Sequence, residues 1–163
     1  MDTTKSRAET ETLRVGDIAP DFTLKDAHSQ EWRLKDFRDK KNVVLAFVPF
    51  AFSGVCSTQL PSYEAVLGRF KDFDAEVVSI SMDNPYALDA WSKSMHTSFP
   101  LLSDFYPQGK VVDMFGLRHQ KGMSNRALVV IDKKGIIQYI EVLNSPGDMP
   151  DNEDLFDALR KLE

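Results

Sequence analysis

The chain has 163 residues, 42% of them apolar and 28% charged, which suits one globular domain with a sizeable core and excludes a wholly disordered chain. Lysine plus arginine total 20 against 25 for aspartate plus glutamate, a net charge of −5, so neither a nucleic-acid backbone nor an anionic membrane surface is an expected partner. A single cysteine, Cys56, excludes an intramolecular disulfide, a Cys-x-x-Cys redox pair and a cysteine-rich zinc site, and no apolar run approaches the roughly 18 residues of a membrane-spanning helix.

Residues 1–13 (MDTTKSRAETETL) are polar and charged. They read as a flexible arm, without the apolar stretch of a secretory signal. One domain over residues 14–163 follows, ordered from near Val15. A reducing, cytoplasmic location fits the lone cysteine.

Phe22–Lys25 and Glu31–Leu34 flank the turn-like Asp26–Gln30 and predict a small hairpin. Asn42–Val48 (NVVLAFV) is apolar and β-branched at consecutive positions, the pattern of a strand buried on both faces. Pro49 ends it, because proline cannot donate to a central ladder. After the loop Phe50–Val55, the spacing of Leu60, Tyr63, Val66, Leu67 and Phe70 predicts a helix over Cys56–Phe70. Pro61 lies early in it, and either delays its start or bends it.

Glu76–Met82 (EVVSISM) reads as a second core strand, and Asp83-Asn84-Pro85 as the start of a helix reaching about Met95. Phe99–Leu102 is short and apolar. Val111–Phe115 reads as one or two helical turns stopped by Gly116. Ala127–Ile131 and Ile136–Val142 flank Asp132-Lys133-Lys134-Gly135, a hairpin signal. Glu153–Leu162 carries Leu155, Phe156, Leu159 and Leu162 on one face, an amphipathic closing helix. Alternating elements with a terminal hairpin predict an α/β domain of thioredoxin-like type: a mixed central sheet flanked by helices.

The stretch Pro49-Phe50-Ala51-Phe52-Ser53-Gly54-Val55-Cys56 lies where a buried strand ends and a helix begins. There the first helical N–H groups lack partners and the dipole favours negative charge, so a nucleophilic thiolate is stabilised. Ser53 can put a hydroxyl beside the sulfur, and Pro49 offers a rigid apolar wall. A lone cysteine at a helix start also suits plain buried packing, and the residues alone leave both readings open. Arg126, just before an apolar strand, is either a surface arginine at a strand end or a fork of donors near the sulfur. His28, His96 and His119 are scattered without metal-ligand spacing, so no metal and no cofactor are expected. Asp104 suits a metal ligand or a base by residue type, but reads first as a turn cap ahead of Pro107. Phe50, Phe52, Phe105 and Tyr106 line either the mouth of a site, a dimer contact or the core.

Pro49, Ser53 and Cys56 together match Pro-x-x-x-Ser/Thr-x-x-Cys, which resembles the active-site signature of the peroxiredoxins. Val15–Leu24 (VGDIAPDFTL), Phe99–Pro107 (FPLLSDFYP) and Asn125-Arg126-Ala127 resemble that family's opening, middle and arginine-bearing segments. The likeness spans roughly Val15 to Leu162. The single cysteine and Phe50–Cys56 look most similar to the one-cysteine, alkyl hydroperoxide reductase E-like group. The resemblance implies that Cys56 attacks a hydroperoxide and becomes a sulfenic acid, with Arg126, Ser53 and Pro49 completing the catalytic set. It also implies recycling by an external thiol or a thioredoxin- or glutaredoxin-like reductant, and a homodimer. Two departures stand out: Gln59 where many members have glutamate, and Ser53 for the commoner threonine. A peroxide sensor or redox-dependent chaperone on the same fold is the alternative.

Overall fold

The computed structural model describes residues 4–162. Its elements in chain order are β1 (Thr4–Ser6), β2 (Thr23–Asp26), β3 (Glu31–Arg33), a 3-10 turn (Leu34–Phe37), β4 (Asn42–Phe47), α1 (Cys56–Glu64), α2 (Leu67–Asp72), β5 (Ala75–Ser81), α3 (Pro85–Met95), β6 (Leu101–Ser103), α4 (Lys110–Met114), β7 (Ala127–Ile131), β8 (Ile137–Leu143) and α5 (Asn152–Arg160). Eight strands form one sheet in the order β1-β8-β7-β4-β5-β6-β2-β3. β4, β5 and β6 run parallel, whereas β7 and β8 are antiparallel to their neighbours. The mixed, helix-flanked sheet is the expected α/β thioredoxin-like architecture.

β4 is central, and every one of its residues is buried. Its side chains alternate between two cores, as the two-residue repeat of a strand requires. Val43, Leu45 and Phe47 pack with Phe22, Trp32, Val112 and Phe115. Val44, Ala46 and Val48 pack with Leu60, Tyr63, Phe70, Trp91, Leu155 and Phe156 from the helices. Covering both faces removes water from a run that has no polar side to offer it.

Two segments differ from expectation. Within the polar arm, Thr4–Ser6 pairs antiparallel with β8, opposite Leu143 and Val142. A short polar strand serves as a sheet edge without needing an apolar pattern. Met1–Thr3 of that arm, and Glu163, lie outside the described residues. The helix expected over Cys56–Phe70 is two helices, parted at Ala65–Val66, where Val66 leaves helical geometry. The 3.6-residue apolar repeat runs through this break, because both helices press onto the same core. Pro61 sits inside α1, and the helix starts at Cys56 in spite of it.

Candidate active site

The parallel order of β4, β5 and β6 places the segments after them at one edge of the sheet. The β4 segment carries Pro49, which is buried, and then the loop to α1. Asp83, just beyond β5, holds this loop: its Oδ2 accepts from the Ala51 N–H at 2.8 Å and from the Ser81 hydroxyl at 2.8 Å. Phe52 takes a left-handed φ of 66° as the chain reverses toward the helix.

Cys56 is the first residue of α1 and has no exposed surface. The Ser57 N–H already donates to the Ser53 carbonyl at 2.9 Å, and the Gln59 N–H to Val55 at 2.9 Å. Among the described residues the Cys56 N–H meets no protein acceptor. A positively polarised donor therefore remains beside the sulfur, as a helix N-terminus provides. Ser57 also accepts from the indole N–H of Trp91 on α3 at 3.0 Å, which ties this first turn to the neighbouring helix. Ser53 directs its hydroxyl at the Phe50 carbonyl, 3.0 Å away. Its hydrogen is thus committed to the loop, and its oxygen lone pairs remain as acceptors.

Arg126 stands just before β7 and is 2% exposed. Its Nη1 donates to Gln59 Oε1 at 2.7 Å, and its Nε and Nη2 donate to the Pro146 carbonyl at 3.2 and 2.8 Å. Of five guanidinium N–H bonds, these use three. Arg126 is therefore not a surface arginine, and it reaches the same turn of α1 that begins with Cys56. Among the described residues no carboxylate pairs with it; the buried Glu141 is engaged by the Thr4 and Tyr139 hydroxyls at 2.7 and 2.9 Å.

Gln59 is buried, and its Nε2 donates to the Tyr63 hydroxyl at 2.8 Å. Burial pushes the Tyr63 phenol far above its ordinary range, against the opposing effects of the Gln59 hydrogen bond and the Arg126 charge. Tyr63 therefore stays neutral at any physiological pH.

Three contributors are not visible as such in the sequence. Asp83 signals there only a helix start. Tyr63 belongs there only to an apolar stripe. The Pro146 carbonyl carries no side-chain signal at all. Asp104 does act as a cap, though of α4: its carboxylate accepts from Val111 N and Val112 N at 3.1 and 2.8 Å. Phe50, Phe52, Phe105 and Tyr106 are all exposed, so core packing does not account for them. His28, His96 and His119 are not drawn together, and no group of metal-ligating side chains occurs among the described residues.

The AhpC/TSA family model matches residues 15–140. Alkyl hydroperoxide reductase E of Mycobacterium tuberculosis is 39% identical over 151 residues, 92% of this chain and 98% of the relative. A chloroplastic 2-cysteine peroxiredoxin of Chattonella marina is 35% identical over 143 residues, covering 82% of this chain and 72% of the relative. Among solved structures, peroxidoxin BcpB of Mycobacterium tuberculosis is similar with a TM-score of 0.80 at 27% identity, over 91% of this chain and 97% of that one. The chain thus belongs to the AhpC/TSA family as a peroxiredoxin, an enzyme that reduces peroxide at the expense of a thiol.

Proposed function

We propose that Cys56 is the peroxidatic residue of a one-cysteine peroxidase acting on hydrogen peroxide and organic hydroperoxides. The observation that carries this is the buried Arg126, without a carboxylate partner among the described residues and bonded into the turn of α1 that Cys56 begins. Burying a cation without a counter-ion costs several kcal/mol, on the order of the penalty for breaking a buried ion pair. An anion arriving at the site offsets that cost, and the Cys56 thiolate with a peroxide is such an anion.

The thiolate attacks the terminal oxygen of the hydroperoxide. An S–O bond forms as the O–O bond breaks, and the leaving alkoxide or hydroxide takes a proton to become alcohol or water. The two remaining Arg126 N–H bonds and the Cys56 N–H stabilise charge moving onto the leaving oxygen. Pro49 and the closed first turn exclude water from the sulfur, while Ser53 offers an acceptor to the peroxide proton. The Cys56 sulfenic acid then condenses with an external thiol, releasing water. A second thiol equivalent, or a redoxin, frees Cys56 as the reduced thiol.

Intact-mass measurement after millisecond mixing tests this. Reduced protein with a slight excess of hydrogen peroxide should gain one oxygen in a fast second-order phase that is absent from Cys56→Ser. Retained peroxide turnover in that variant would overturn the assignment.

The working form is a homodimer, in the cytoplasm. Phe50, Phe52, Tyr86, Phe105 and Tyr106 all follow the ends of adjacent strands β4, β5 and β6, with Phe52 57% and Tyr106 90% exposed. Such an aromatic group at one edge exceeds the scattered exposure ordinary for a monomer. Phe52→Asp should move the mass found by analytical ultracentrifugation from two chains to one. No helix among the described residues is long and apolar enough to cross a membrane.

A further inference from the structure

The buried polar relay on α1 has a direction that the donor-only Arg126 dictates and Tyr63 holds. Arg126 has donors alone, so it requires an oxygen from Gln59. A carboxamide has one oxygen end and one nitrogen end, and in a buried site the nitrogen needs its own acceptor. Gln59 Nε2 finds it in the Tyr63 hydroxyl at 2.8 Å, one helical turn further on. With that acceptor in place the amide is locked, oxygen toward Arg126 at 2.7 Å. Tyr63 has no exposed surface, so no solvent competes for either bond.

We propose that Tyr63 is a positioning residue for peroxide reduction, which acts by holding the Gln59 amide in the orientation that Arg126 requires and thereby the aim of the Arg126 guanidinium at the Cys56 turn. This rests on Cys56 and Arg126 serving as proposed above. The relay is neutral throughout, so it orients Arg126 without cancelling its charge. A carboxylate at residue 59 would orient Arg126 with no help from Tyr63, because both of its ends are acceptors.

That difference gives a test that simple packing cannot imitate. Tyr63→Phe keeps the ring and its volume and removes only the hydroxyl. In the native background it should slow single-oxygen addition to Cys56 by hydrogen peroxide about tenfold, as misaligned transition-state donors do, and move the pH profile of that rate upward. In a Gln59→Glu background the same change should alter the rate by less than about twofold, which is the coupling a double-mutant cycle reads. Rates unaltered by Tyr63→Phe, or an equal loss in both backgrounds, would overturn the proposal. If Tyr63→Phe fails to fold, Gln59→Leu removes the relay from its other member and carries the same expectation of a tenfold loss; a wild-type rate there overturns it equally. A wild-type protein oxidised no faster than a free thiol would instead bring down the peroxidase assignment on which the proposal stands.

Discussion

Arg126 and Gln59 show how much chemistry depends on donor geometry rather than charge alone. The guanidinium divides its donors between a backbone carbonyl from the loop after β8 and an amide on α1. Lysine at this position would supply a point charge with three rotatable donors and no fork. Arg126→Lys is therefore expected to keep the fold and lower the second-order rate with hydrogen peroxide by about 100-fold, as the loss of an oriented transition-state donor does. Stopped-flow oxidation of the variant, with its thermal midpoint measured alongside, checks this. A rate within about threefold of wild type would remove the fork from the mechanism.

Among the elements, α4 illustrates a short helix held by one buried side chain. It spans only Lys110–Met114, and its N-cap position is Gly109 in left-handed geometry with no side-chain bond. Asp104 supplies what the cap lacks by accepting from Val111 and Val112. Burial raises the Asp104 carboxyl above its ordinary value, and the two backbone N–H groups work against that shift. Asp104→Ala should destabilise the protein by about 1–3 kcal/mol, the cost of two buried donors left without an acceptor. Urea unfolding followed by circular dichroism measures it. Asp104→Asn retains one acceptor and should fall between the two.

On the scale of the whole molecule, surface ion pairs bind distant parts of the chain. Asp74 on the turn before β5 meets Lys133 in the β7–β8 hairpin at 2.9 Å, and Arg69 on α2 meets Glu153 on α5 at 2.8 Å. Lys133 holds the Asp74 carboxyl, Lys93 the Asp89 carboxyl, Arg118 the Asp113 carboxyl and Arg69 the Glu153 carboxyl below their ordinary values of 3.8, 3.8, 3.8 and 4.5. A carboxylate depressed in the folded state contributes stability above its unfolded value and loses it as pH falls through its folded value. Asp104, shifted the other way, binds a proton more readily when folded and so favours the folded state slightly as acid is added. Four depressed groups against one raised group set the sign: the urea midpoint should be lower at pH 3 than at pH 7. Each pair is exposed, so the effect per pair is small and should weaken in high salt. A midpoint higher at pH 3 would contradict this balance.

Local sequence determined much of the architecture. The continuous apolar run Asn42–Val48 could form only a strand covered on both faces, and the Asp132–Gly135 turn could join only a hairpin, since both signals act within a few residues. Asn84 and Pro85 marked the start of α3, where the Asn84 side chain accepts from Ala87 N at 2.9 Å. Cys56 was placed at a helix start by the strand that ends at Pro49. Tertiary structure alone decided the rest. The break between α1 and α2 is invisible to a periodicity that both helices share, and β1 has no strand pattern because it is a polar edge that takes its order from β8. Whether Arg126 lay in water or in the core depended on the packing of β7 against α1, across 67 residues of sequence separation from Gln59. The roles of Tyr63, Asp83 and the Pro146 carbonyl likewise arise from donors and acceptors that meet only after the chain has folded, and such pairings leave no periodicity or local propensity to read.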